Sequence, residues 1–185
     1  MRRERLREAW SEFQIAAMYA EPHDHRAFPD HQVRVDATIV MGLGLLGNYH
    51  GIGPRVAADL SCGNGAILAA MPVDARLFGD LAPGYDYTGP IEQTVQQIPD
   101  VDLFVCCETI EHLDDPDATL AAIGDKARRL LLSTPVDAWD DANPEHYWAW
   151  DREAVEAMVV AAGFTVLDYR EVWPSYKFGI WACGQ

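Results

Sequence analysis

Three residues that follow a short apolar run are able to do chemistry together. Glu108, Glu111 and His112 come directly after Leu103 to Cys107, L-F-V-C-C. That run reads as a strand buried on both faces, and the carboxyl end of such a strand is where open α/β sheets hold their ligands. If the chain turns helical after Cys107, separations of three and four residues bring Glu111 and His112 beside Glu108. Two carboxylates and an imidazole are a donor set for a divalent cation; the alternative is a helix with an acidic surface and a structural histidine.

A second group lies earlier, in R-V-A-A-D-L-S-C-G-N-G-A-I from Arg55 to Ile67. Here an apolar strand stops at Asp59 and turns over Gly63 and Gly65 into a helix, exposing backbone N–H groups that suit a polar cofactor tail. A further acid, Asp80, ends the next strand, which begins at Ala75; a carboxylate there accepts hydrogen bonds from both hydroxyls of a ribose.

The elements that position these groups are legible in outline. Arg2 to Ala20 carries Leu6, Trp10, Phe13, Ile15, Ala16 and Met18 in an approximately helical stripe, which predicts an amphipathic N-terminal helix. Glu21 to His31, with His23, His25 and His31 among acids and prolines, reads as a solvated loop. His31 to Leu46 reads as a buried helix ending at Gly47, and Ala66 to Met71 as a short one. The link from Asp80 to Tyr87 is too short for a helical crossover, which needs about a dozen residues. Leu130 to Thr134 is a further buried strand, Pro135 to Trp150 a loop, and Asp151 to Ala162 a helix with Asp151 as N-cap and Gly163 as terminator. Phe164 to Glu171 and Lys177 to Cys183 read as two closing strands.

With 185 residues and 49% hydrophobic character, the chain buries one core, and a single domain over 1–185 is expected. A net charge of −15 opposes the phosphate backbone of nucleic acids, so a small-molecule acceptor is favoured over nucleic acid. Cys62, Cys106, Cys107 and Cys183 show no Cys-x-x-Cys spacing and are read as reduced thiols of a cytoplasmic protein. Adjacent Cys106 and Cys107 point to opposite faces of their strand. No apolar run approaches the roughly 20 residues that span a bilayer, and the basic start is not followed by an export signal.

The Asp59 turn resembles the D-x-G-x-G-x-G signature of class I S-adenosylmethionine-dependent methyltransferases, with Asp59, Gly63 and Gly65 matching and Ser61 in place of the first glycine. The resemblance runs from about Arg55 to the end. It implies a doubly wound, Rossmann-like α/β fold with a seven-stranded mixed sheet, here with a reduced connection between strands 2 and 3. It implies S-adenosylmethionine as cofactor, with Asp59 near the methionine amino group, Ser61, Gly63 and Gly65 beneath the cofactor, and Asp80 on the ribose hydroxyls. Gly89-Pro90-Ile91-Glu92 resembles the family's G-D-A-E stretch beside the adenine, with Pro90 in place of the acid, so Leu81 and Ile91 become the apolar packers of the ring. Glu108 borders the cofactor as well. In small members of the family the N-terminal segment folds over the cofactor, which makes residues 1–50 a lid, with Tyr19 and Phe28 as its contacts, and 55–185 the cofactor-binding core.

Glu-x-x-Glu-His, together with His146 in H-Y-W-A-W-D-R-E, resembles ubiquinone-pathway O-methyltransferases and small-RNA 2′-O-methyltransferases. In those families this set holds a divalent ion against the acceptor hydroxyl. Glu108, Glu111, His112 and His146 map onto it, which implies Mg²⁺ or Mn²⁺, with Glu108, His112 and His146 acting at the hydroxyl. Similar stretches occur in metal-free relatives, so the ion stays an alternative. Two other readings remain open. Gly42, Gly44 and Gly47 form a G-x-G-x-x-G that suggests a nicotinamide-dependent oxidoreductase, opposed by N-Y-H-G-I-G-P at 48–54, where that motif needs a helix. A non-catalytic methyltransferase-like scaffold is the third. For the acceptor, Trp139, Tyr147, Trp148 and Trp150 suggest an aromatic body, and Asp137, Asp140 and Asp141 an attraction to cations.

Overall fold

A computed structural model describes residues 1–20, 31–47, 55–173 and 177–185. The chain opens with strand β1 (Arg3–Arg5) and helices α1 (Glu12–Met18) and α2 (His31–Gly47). It then alternates β2 (Val56–Asp59), α3 (Ala66–Ala69), β3 (Ala75–Asp80), β4 (Tyr87–Thr88), α4 (Ile91–Thr94) and β5 (Leu103–Cys107). A 3-10 turn (Ile110–His112), α5 (Pro116–Gly124), β6 (Arg129–Pro135), β7 (Trp148–Trp150), α6 (Arg152–Ala161), β8 (Thr165–Val172) and β9 (Phe178–Gly184) complete it.

Seven strands form one sheet in the order β4-β3-β2-β5-β6-β9-β8. The first five run parallel and β9 enters antiparallel between β6 and β8. This is the expected mixed α/β sheet, and its order reverses between β2 and β5, the switch point at which such sheets open a crevice. The link between β3 and β4 has no helix, as its length required.

Burial explains why these segments pair. Leu103, Phe104, Val105 and Cys106 are wholly buried, because helices cover both faces of a parallel sheet. On one face, Phe104, Cys106, Leu120, Ile123, Leu132, Trp150, Val155 and Trp181 share a core. On the other, Val35, Met41, Leu45 and Leu46 of α2 pack with Leu68, Met71, Val105, Leu131 and Ile180. Cys106 and Cys107 face opposite cores as alternation demands, and the four cysteines are free thiols.

The G-x-G-x-x-G lies inside α2, so it is no dinucleotide turn. At Gly42 an added Cβ would lie 2.8 Å from Met71 Sδ and 2.9 Å from Leu131 Cδ2: the glycine lets the helix sit close on α3 and the sheet. Gly42→Val should therefore destabilise the protein by about 1–3 kcal/mol, the cost of overpacking, despite a better helix propensity. Urea unfolding measures this, and an unchanged midpoint would mean that α2 packs less closely.

Two expectations need correction. The N-terminal stripe is helical only over Glu12–Met18; Arg3–Arg5 instead forms an antiparallel ribbon with β7, inside the segment read as a loop. The Arg3 guanidinium lies 4.2 Å from the Trp148 ring and pairs with Asp117, while Arg5 pairs with Asp114. Tertiary partners thus override a local helical pattern. His31 is the buried start of α2, where the helix reading also began; His23, His25, Phe28 and the stretch 48–54 lie outside the described residues. Among those described, no helix is long and apolar enough to cross a membrane.

Candidate functional site

The carboxyl ends of β2 and β3 build the first half of the site. Asp59 is 3% exposed and accepts from the Ser61 N–H at 3.2 Å. Burial pushes its carboxyl up to about 8; the Ser61 bond opposes this and the charge of Asp80 adds to it. A cation beside it would hold it ionised near neutral pH. Gly63 and Gly65 carry φ of 53° and 72°, the left-handed region open to glycine, and a Cβ on Gly65 would lie 2.9 Å from the Phe78 ring. The helix that follows is a single turn, so backbone N–H groups rather than a helix dipole face the turn.

Asp80 accepts from Gly63 N–H at 2.8 Å and Ala82 N–H at 2.9 Å. A carboxylate has further lone pairs for incoming hydroxyls. Tyr85, from the shortened β3–β4 link, donates to the Gly63 carbonyl, so this link ties down the glycine turn. Ser61 Oγ lies 2.7 Å from Thr109 Oγ1, which joins the turn to the end of β5.

A cavity of about 510 Å³ begins at Leu81, the residue after Asp80, and is lined by Ile15, Tyr19, Leu81, Pro83, Pro90 and Gln93, among others. Leu81 is thus at a pocket wall. Ile91 is not: it is 5% exposed and packs in the core. Helix α1 forms the opposite wall, and Tyr19 Oη donates to Glu145 Oε2 at 2.8 Å, linking this wall to the segment before His146.

The second half stands at the ends of β5 and β6. Glu108 has φ 52°, so the chain does not enter a helix there and only a 3-10 turn follows. Its N–H donates to the Ser133 carbonyl at 2.8 Å, and Oε1 accepts from Ser133 Oγ at 2.8 Å. Glu111 is 1% exposed. Thr134 donates to its Oε2 at 3.0 Å, whereas Oε1 has no hydrogen-bond partner among the described residues and lies 3.9 Å from His112 Nε2. Burial, then the charge of Glu108, pushes Glu111 up to about 8, with His146 opposing.

His146 reaches this group from the far segment, its ring edge-on to His112 with centroids 4.7 Å apart. Ligand atoms of Glu111, His112 and His146 all lie within 4.8 Å of one another. The four-residue set that the resemblance implied is a group of three among the described residues: Glu108, at its positive φ, instead accepts from Ser133 and lies 3.8 Å from Arg34. What the spacing did not reveal as part of this set is Asp141, whose Oδ2 lies 2.6 Å from His146 Nδ1. Burial lowers the His146 pKa, but this bond and the charge of Glu111 outweigh it, so it stands raised; Asp141 stands lowered by the same bond. An ionised Asp141 accepts from Nδ1–H and leaves Nε2 for the cluster. Arg7 supports the segment from behind, donating to the His146 carbonyl at 2.8 Å and to the carbonyls of Asn143 and Asp141.

No protein-family model matches this sequence, and no curated protein does. Solved structures match in fold. The 1,6-didemethyltoxoflavin-N1-methyltransferase of Burkholderia thailandensis, with S-adenosylhomocysteine bound, is 16% identical with a TM-score of 0.67, covering 99% of this chain and 94% of its own. The magnesium protoporphyrin IX methyltransferase of Synechocystis PCC 6803 is 14% identical with a TM-score of 0.65, covering 94% of each chain. The [4+2]-cyclase SpnF is 12% identical with a TM-score of 0.63, covering 93% of this chain and 90% of its own. The chain has the Rossmann-like fold of S-adenosylmethionine-dependent methyltransferases, a fold that also serves other chemistry.

Proposed function

We propose that this chain transfers the methyl group of S-adenosylmethionine to a hydroxyl of a small-molecule acceptor. One observation carries the reading: Asp59 and Glu111 are carboxyls buried at the carboxyl ends of the adjacent strands β2 and β5, where burial raises the pKa of each. Asp59 suits the cationic amino group of the cofactor, and Glu111, with two imidazoles beside it, suits a cation on the acceptor side. Gly63 and Gly65 would let the cofactor approach the backbone, Asp80 would accept from its ribose, and Leu81 with Tyr19 would border its base. The cofactor supplies an electrophilic methyl on a sulfonium, so that O–C bond formation and C–S bond cleavage leave neutral S-adenosylhomocysteine and one proton to be removed. Neighbours of this fold that act on small molecules support the acceptor class.

For the proton, the chain offers two arrangements. Glu111, His112 and His146 fit a divalent ion, their two nitrogens and one carboxylate suiting Mn²⁺ better than Mg²⁺. Such an ion would lower the pKa of the acceptor hydroxyl. The Asp141–His146 pair also fits a metal-free base, with Nδ1–H held by Asp141 and Nε2 receiving the proton. Activity that collapses in EDTA and returns with Mn²⁺ selects the first; indifference to EDTA selects the second.

Calorimetry tests the cofactor. S-adenosylhomocysteine should bind and NAD should not; NAD alone binding would overturn the reading. Asp80→Ala should weaken S-adenosylhomocysteine by about 1–3 kcal/mol, the scale of hydrogen bonds to a charged group. An unchanged dissociation constant would place the ribose elsewhere.

A further inference from the structure

Among the described residues Arg34 is an under-paired cation at the carboxyl ends of β5 and β6. Its side chain is 12% exposed, and its ion partner among the described residues is the Glu108 carboxylate, 3.8 Å away. Its guanidinium carbon also lies 5.5 Å from the centre of the Phe178 ring. Neither contact is a hydrogen bond, since 3.8 Å is out of reach, and Glu108 Oε1 already accepts from Ser133 Oγ at 2.8 Å. A guanidinium presents five N–H donors in one plane. Removing them from water without acceptors is costly, and a planar anion offsets that cost by pairing through two parallel bonds.

The position of Arg34 gives this a consequence for the substrate. Phe178 pairs with Pro135 at the carboxyl end of β6, and Glu108 directly follows β5. The guanidinium therefore stands at the carboxyl ends of β5 and β6; Glu111 lies in the turn that follows β5, and its partner Thr134 on β6. Resting on the methyl-transfer reading above, we propose that Arg34 docks a carboxylate of the methyl acceptor, which is a hydroxy acid or phenolic acid whose hydroxyl faces Glu111, His112 and His146. A singly charged planar carboxylate suits the place better than a phosphate, because the Glu108 carboxylate repels a second negative charge.

The test titrates protein saturated with S-adenosylhomocysteine against salicylate and its neutral isostere salicylamide, by calorimetry. The wild type should bind salicylate at least tenfold more tightly. Arg34→Gln should erase that preference while leaving salicylamide and S-adenosylhomocysteine affinities unchanged, a pattern that a purely structural role would not produce. Arg34→Lys, which keeps the charge without the fork, should fall between the two. Glu108→Gln, which removes the competing charge, should tighten salicylate severalfold. Equal affinity for the two probes, no salicylate binding at millimolar concentration, or a preference that survives Arg34→Gln would overturn the proposal. Failure of S-adenosylhomocysteine to bind at all would instead strike the methyl-transfer reading, and the same pair of probes on the free protein would still decide whether Arg34 selects a carboxylate.

Discussion

His146→Ala should lower Mn²⁺ affinity at least a hundredfold while S-adenosylhomocysteine affinity stays within twofold. The asymmetry follows from where the groups stand. His146 supplies one of three clustered ligand atoms, and two remaining ligands give neither the count nor the geometry of a stable site. Asp59 and Asp80 sit at the ends of β2 and β3, on different elements, so the cofactor half keeps its framework. Asp141→Asn should fall between wild type and His146→Ala, with about a 10- to 100-fold loss, as expected when the group orienting a ligating imidazole is weakened. Titration of each variant with Mn²⁺, with S-adenosylhomocysteine present throughout, measures both affinities. If the wild type takes up no Mn²⁺ at millimolar concentration, the metal arrangement is wrong. His146→Ala should then still remove turnover, through loss of the base, and EDTA should change nothing.

Much of this architecture is legible because the sheet is parallel and doubly covered. A strand buried on both faces leaves a continuous apolar run, and Leu103 to Cys107 is one whose limits match β5. Helix α2 was legible despite its glycines, since 48–54 contains too much proline and glycine to continue a dinucleotide motif; the close approach at Gly42 supplies the reason for a small residue there. What local pattern missed are the elements made by contacts between distant segments. β1 and β7 have three residues each and exist because they pair with one another across most of the chain, with the Arg3 and Arg5 guanidinium groups against Trp148.

The acceptor half shows the same division. Glu111 and His112, singled out by type and spacing, and His146, which the family resemblance implied, come together in space. Glu108 was grouped with them by assuming a helix after Cys107, but a positive φ at Glu108 breaks that register. Asp141 and Arg7 carry no spacing signal toward His146, because their roles arise from the fold of the segment 141–146. Arg34 stands 74 positions before Glu108, and only the packing of α2 against the sheet brings the two together.

The free protein should be more stable at pH 5 than at pH 8, and Asp59→Asn should reverse much of that loss. In the folded chain burial raises the Asp59 carboxyl from 3.8 to about 8, whereas in the unfolded chain it ionises near its ordinary value. Between about pH 4 and pH 8 the folded state therefore holds the extra proton, so stability from this group falls as pH rises through that window. Each tenfold change in proton affinity is worth about 1.4 kcal/mol, so the penalty at pH 8 amounts to several kcal/mol. An amide in this place carries no such penalty. Asp59→Asn should accordingly unfold at higher urea than the wild type at pH 8 and at a similar concentration at pH 4, yet bind S-adenosylhomocysteine at least tenfold more weakly, because the anion facing the ligand's amino group is gone. The same physics makes cofactor binding a proton-release event: near pH 6.5 the free protein holds Asp59 protonated, and pairing with an ammonium group ionises it. Calorimetry in buffers of differing ionisation enthalpy should show close to one proton released by the wild type and almost none by Asp59→Asn. A variant less stable than the wild type at pH 8 would mean that Asp59 is held ionised by a partner within the protein. Absence of proton release would mean that the ligand's amino group lies elsewhere, and either result removes Asp59 from the centre of the cofactor site.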